Sequence, residues 1–260
     1  CLSCLFLFYF YGCVPMAFSL VVKLLPMAAL LAFPFLTTSY SAYQLGLYLL
    51  YGIVGQGIAL CWGNGGFLPL GQALFFGIGA YISGKILQGN IGWGVVILAL
   101  ILSIIIPALI AGFIGALVFD RQIGSGPYFS LITLALSLLG YQLANSQVLL
   151  TGGFNGLTGI KGLPGIDSYG NLYFFIVGAL AVSTLFLSHL VSTPFGQLLA
   201  AVRENEERLQ FLGVKTSRVK AAAFAMSGAL AGMAGAFFAP HQGIVTPQVV
   251  GFILSAELVI

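Results

Sequence analysis

Residues 193 to 220 read TPFGQLLAAVRENEERLQFLGVKTSRVK. The 260-residue chain has nine Lys and Arg and six Asp and Glu, and eight of those fifteen stand in this stretch: Arg203, Glu204, Glu206, Glu207, Arg208, Lys215, Arg218 and Lys220. Long apolar runs flank it on both sides. A charged island in so apolar a chain has to meet water or a wet surface. Thr193 is placed to cap a helix, and Pro194 suits the first helical position. Phe195, Leu198, Leu199, Val202, Leu209 and Leu212 recur at helical spacing, while Arg203, Glu204, Glu207 and Arg208 point the other way. Glu206 alone interrupts the apolar face, and Gly213 is the expected stop. The pattern predicts one amphipathic helix between two membrane spans. Two readings stay open: a helix resting on the bilayer surface, or a docking helix for a soluble cytoplasmic partner.

Working outward, the composition fixes the class. Hydrophobic residues make up 60% of the chain and charged residues 6%, with a mean hydropathy of +1.08. A soluble domain carries about 25% charged residues. The expected fold is therefore an all-α polytopic membrane protein, a bundle of about seven to eight spans of roughly 20 residues each, with one amphipathic cytoplasmic helix. Thirty-five glycines suit close helix packing in lipid. A formal charge of +3 excludes nucleic-acid binding. No Ser/His/Asp set, HExxH motif, carboxylate pair or phosphate-binding loop is present, and the four cysteines lack metal-ligand spacing. Neither a catalytic residue, a metal nor a cofactor is predicted. Ionisable residues inside spans, the mark of proton or ion relays, are almost absent, with Glu257 the one candidate.

In chain order the spans are predicted over 16–38, 40–62, a third that opens on the broken stretch GNGGFLPLGQ (63–72) and runs to Leu87, then 92–119, 128–149, 172–191 and 221–239. A further apolar run starts near residue 249, and the polar, Gly-rich segment 151–170 is a loop. With the island placed inside, Lys23, Arg121, Arg203, Arg208, Lys215, Arg218 and Lys220 fall on the inner side and only Lys85 and Lys161 outside. That bias predicts 193–220 cytoplasmic and 151–170 external, which in a bacterium is periplasmic.

Small residues draw two stripes. Ala221, Ala225, Gly228, Gly232, Gly235 and Ala239 recur along the last complete span, and Ala73, Gly77, Ala80 and Gly84 along the third. Gly228, Gly232, Gly235 and Gly77 are expected at helix-packing contacts. The broken entry to the third span, with Asn64, Gln72 and Tyr81, is read either as a pathway element or as an interfacial loop, since non-helical backbone at membrane depth needs protein or a water-filled cavity beside it.

LGQALFFGIGAY (70–81), GPYFSLITLAL (126–136), TGGFNGLTGI (151–160) and the block from Thr193 to Ala239 resemble the inner-membrane permeases of bacterial branched-chain amino-acid ABC importers, and the related urea permeases are similar too. The resemblance runs from about residue 20 onward. It implies a permease subunit working by alternating access, paired with a homologous second permease. Two cytoplasmic ATPases would drive it, and a periplasmic binding protein would deliver substrate. Arg203, Glu204, Glu206, Glu207 and Arg208 would then meet an ATPase. The implied substrate is a branched-chain or related amino acid. The alternatives are urea or another short amide, and, outside the family, a passive channel for a small neutral solute. Residues 1–15 are expected to be an extension before Met16, and 16–260 one transmembrane permease domain whose C-terminal spans are missing.

Overall fold

The computed structural model describes residues 30–34, 37–89, 92–120, 127–163 and 169–259. The expected extension 1–15 and most of the expected first span, residues 16–29 and 35–36, lie outside the described residues. Nine helices are labelled here: α1 (Ser39–Ala59), α2 (Gln72–Leu87), α3 (Trp93–Asp120), α4 (Pro127–Ser146), α5 (Tyr169–Ser192), α6 (Pro194–Glu204), α7 (Glu206–Phe211), α8 (Thr216–Gln242) and α9 (Phe252–Glu257). A π-helical turn, Leu60–Asn64, extends α1. Five of the described helices, namely α1 with its π turn, α3, α4, α5 and α8, are long and apolar enough to cross a membrane. The shorter α2 is as apolar as a span but has 16 residues. Among the described residues no strand forms, and Leu157 and Val245 make one isolated antiparallel bridge. The chain is an all-α, multi-pass membrane protein.

Helix α8 is the axis, packed against α3, α2 and α1. Its glycines let backbones touch. A Cβ on Gly232 would collide with the Ser103 carbonyl oxygen and stand 2.7 Å from Pro107 Cγ. One on Gly228 would stand 2.6 Å from Ala111 Cβ, and one on Gly235 would strike the Phe76 carbonyl. Pro107 sits inside α3 and has no N–H for the carbonyl four residues earlier, Ser103; that carbonyl faces Gly232 instead. Gly79, outside the predicted stripe, meets the Gly232 backbone. Gly77 faces away from this crossing and receives Val250, from the 3₁₀ turn Pro247–Val250 that precedes α9. The apolar run near residue 249 thus begins as a tight turn and a six-residue helix.

The island departs from the single predicted helix. It breaks at Asn205, whose φ of −157° and ψ of 96° are extended. The reason is local: the Asn205 side chain accepts the Arg208 N–H at 2.9 Å and so caps α7, a competition with the helix ladder that Asn wins at such positions. Glu206 and Glu207 then fall in the first turn of α7, where the helix dipole favours acids. At the other end, Thr193 takes the cap position of α6 but its hydroxyl bonds back to the Leu190 carbonyl.

Candidate functional site

The site is the end of the bundle that carries α6 and α7. Leu199 and Val202 bury one face of α6. The Arg203 guanidinium donates through Nη1 to the Gly63 carbonyl at the end of the π turn. Its stem lies across Gly66, whose φ is +72° and where a Cβ would come within 2.7 Å of Arg203 Cγ; both the left-handed backbone and the close approach require glycine there. On α7, Glu206 turns back to the base of α8 and pairs with Lys220 at 2.5 Å. The Lys220 side chain is only 9% exposed, and its ammonium lies 5.6 Å from the centroid of the Phe119 ring. Phe119 stacks on Phe129 and meets Phe67 edge-on, so a cluster of rings floors this end.

Of the five residues that the sequence grouped on the docking helix, the structure separates two from the rest. Arg203, itself exposed, and Glu206 bond back to this end of the bundle, whereas Glu204, Glu207 and Arg208 are exposed. Beside them Phe211 is 91% exposed and Leu212 73%. Sequence periodicity put Leu212 on the buried face and did not select Phe211. The break at Asn205 resets the helical phase, so the repeat that holds over 195–202 does not continue past it. The one signal for the exposed pair is their position just before Gly213, which has φ +81°.

The broken stretch 63–72 is packed against protein. Ser130 Oγ donates to the Leu68 carbonyl at 2.6 Å, the Leu70 N–H donates to Thr133 Oγ1 at 3.1 Å, and Gly71 abuts the Thr133 backbone. Asn64 closes the π turn and is partly exposed. Gln72 is 1% exposed; its Nε2 donates to Ser227 Oγ at 2.9 Å, while its Oε1 is buried with no hydrogen-bond partner. The Tyr81 hydroxyl is also buried without one. The structure does not gather these three: Gln72 and Tyr81 lie on opposite sides of α2, about 13 Å apart along its axis. Sequence reasoning also passed over the buried Ser255 hydroxyl, which lines an apolar cleft with Leu70, Leu134 and Phe252.

The opposite end has its own fastenings. Leu157 and Val245 exchange backbone bonds of 2.8 and 3.0 Å. Gln88 Nε2 donates to the Thr158 carbonyl at 2.7 Å, and Lys161 Nζ to that of Gly89 at 3.4 Å. His241 stacks on Tyr43 at 4.4 Å. The loops therefore sort into two groups: 60–72, 119–120 and 193–220 at one end, and 88–89, 157–161 and 241–245 at the other. That is the alternation expected of successive membrane crossings.

Residues 40–260 match the family model described as branched-chain amino acid transport system / permease component. The chain is 30% identical over 264 residues to the high-affinity branched-chain amino acid transport system permease protein LivM of Salmonella typhimurium, an alignment covering 90% of this chain and 61% of the relative. Its similarity to LivM of Escherichia coli is 30% over 263 residues, covering 91% and 60%. The probable branched-chain amino acid transport permease protein LivM of Methanocaldococcus jannaschii is 28% identical over 191 residues, covering 67% and 54%. The chain thus spans about three-fifths of the length of the two enterobacterial relatives. No solved structure is significantly similar to it.

Proposed function

This chain belongs to the family of branched-chain amino-acid transport permease components, and on that premise we propose that it is the membrane-spanning subunit of an ATP-driven importer for branched-chain or related amino acids. Its partners are a homologous second permease, two cytoplasmic ATP-binding subunits and a periplasmic substrate-binding protein. The permease hydrolyses nothing. ATP draws the two ATPases together, α6 and α7 move with them, and the paired permeases open alternately to either side. A zwitterionic solute of no net charge needs little fixed charge along its path, in keeping with the scarcity of ionisable residues in the spans.

One observation favours a protein partner over a lipid surface for the island. Phe211 and Leu212 are exposed beside Glu204, Glu207 and Arg208. An aromatic anchor ringed by charge suits a pocket in a soluble partner, where the buried ring supplies affinity and the charges set register. A helix resting on lipid would bury the same pair in the headgroup layer but draw little from its acids, so the acidic residues beside the pair are what favours a protein partner.

The test uses the complete transporter reconstituted with its ATPase. Phe211→Ser and the double reversal Glu204→Lys/Glu207→Lys should each leave the permease folded in the membrane. Each should cut ATPase co-purification by about tenfold or more, the loss of an anchor or of several paired charges. ATPase retained by both variants at the parental level rejects the docking surface. Sidedness is checked separately in a background lacking Cys1, Cys4, Cys13 and Cys61. A cysteine at Lys161 should react with an impermeant thiol reagent in intact spheroplasts and one at Glu207 should not; the reverse pattern overturns the orientation.

A further inference from the structure

We propose that the Glu206–Lys220 ion pair is where movement of α7 enters the membrane bundle, so that Glu206 positions α8 and does not contact the ATPase. This rests on the permease reading above and deepens it. Lys220 stands near the start of α8 with its side chain 9% exposed. An ammonium so far from water is tolerable only beside a carboxylate and further polar or aromatic partners. Glu206 supplies the carboxylate at 2.5 Å and Phe119 the ring face. The three residues belong to α7, α8 and α3, and the pair is the sole salt bridge among the described residues.

The backbone around α7 makes this contact mechanical. Extended Asn205 separates α7 from α6, and Gly213, at φ +81°, separates it from α8. A six-residue helix between two such joints is a small body of its own. Two side-chain contacts brace it to the base of α8: Glu206 to Lys220, and Gln210 Nε2 to Thr216 Oγ1 at 3.2 Å. The neighbouring α6 is fastened elsewhere, through Arg203 to the end of α1. The polar side-chain bonds of the two halves therefore go to different transmembrane helices, although α6 also packs against α5 and α8. A load on Glu207, Arg208 or Phe211 turns α7 about Asn205 and reaches α8 through the ion pair. Beyond that point α8 is wedged backbone-to-backbone against α2 and α3, and close-packed elements move as units.

The experiment compares docking with coupling in the full-length permease complex. The variants are Glu206→Gln, Lys220→Met, the neutral double Glu206→Gln/Lys220→Met, and the swap Glu206→Lys/Lys220→Glu. Co-purification of the ATPase should stay within about twofold of the parent in the neutral double variant, because the docking face is untouched. Its substrate-stimulated ATP hydrolysis should fall about tenfold toward the basal rate, a coupling loss of ordinary size for one link. The swap should recover a substantial part of that stimulation, which a merely structural role would not restore. Either single variant leaves one charge unpaired; where it fails to accumulate, the neutral double variant, with no orphaned charge, decides. Parental stimulation and transport in the double variant overturns the proposal, and so does loss of ATPase binding in Glu206→Gln, which would return Glu206 to the docking face. A parent complex that binds no ATPase sinks the importer reading itself, a separate and visible outcome.

Discussion

Helices α3 and α8 lie against each other and follow opposite rules. The most apolar stretch of α3 has a hydropathy of 3.0, yet 22% of it is buried inside the protein; for α8 the figures are 1.6 and 67%. In water the more apolar helix would take the centre. In lipid it need not, because hydrocarbon solvates Ile and Leu as well as protein does, and the centre goes to whichever helix lets backbones come closest. Helix α3 accordingly shows Ile101, Ile105, Leu109 and Phe113 outward and buries Ala99, Ser103, Pro107, Ala111 and Gly115. Those buried positions recur every four residues, a ridge that fits the glycine row of α8. Hydropathy finds the spans; small residues find the middle.

The largest expected effect breaks the close side of this comparison. Gly232→Leu puts a branched side chain where even a Cβ collides with the Ser103 carbonyl. It should cost more than about 4 kcal/mol, above the ordinary range for overpacking, and the protein should be lost from the monodisperse fraction in detergent. Leu109→Ala, on the outward face at 67% exposure, should change stability by no more than about 0.5 kcal/mol. Comparable damage from the two would mean that α3 and α8 are not divided into a packed side and a lipid side.

That contrast also explains what the sequence disclosed and what it hid. The spans of α1, α3, α4, α5 and α8 follow from apolar length, and Gly228, Gly232 and Gly235 from spacing on a helix of modest hydropathy where a small residue stands out. The matching ridge on α3 obeys the same spacing but is masked by the Ile and Leu between its members. Gly77 falls on the helix that its spacing predicts, but its neighbour, Val250, lies far along the chain. Around the island, Glu206 was visible as an acid on an apolar face. A carboxylate there needs a cation, and Lys220 was the answer, but their meeting depends on the reversal of direction at Gly213. The Asn205 break leaves the faintest trace in the sequence. Asn in the middle of a helical repeat costs little by propensity, and only its capping of Arg208 shows that the chain uses it as a start.

The smallest predicted effect sharpens the comparison at the same crossing. Ser103 is fully buried, and its hydroxyl donates to the Gly79 carbonyl at 3.0 Å. It thus joins α3 to α2 beside Gly232, so the crossing has both a steric and a hydrogen-bonding candidate for what holds it. Ser103→Ala removes the hydroxyl and keeps the small cross-section. The Gly79 carbonyl is not orphaned, since within α2 it still faces the N–H four residues on. Interhelical hydrogen bonds in membrane proteins average about 0.6 kcal/mol, so the midpoint of thermal unfolding in detergent should drop by about 1–3 °C with transport intact. If Ser103→Ala instead proves as destructive as Gly232→Leu, the polar bond holds α2, α3 and α8 together, and the close fit of small residues is its consequence.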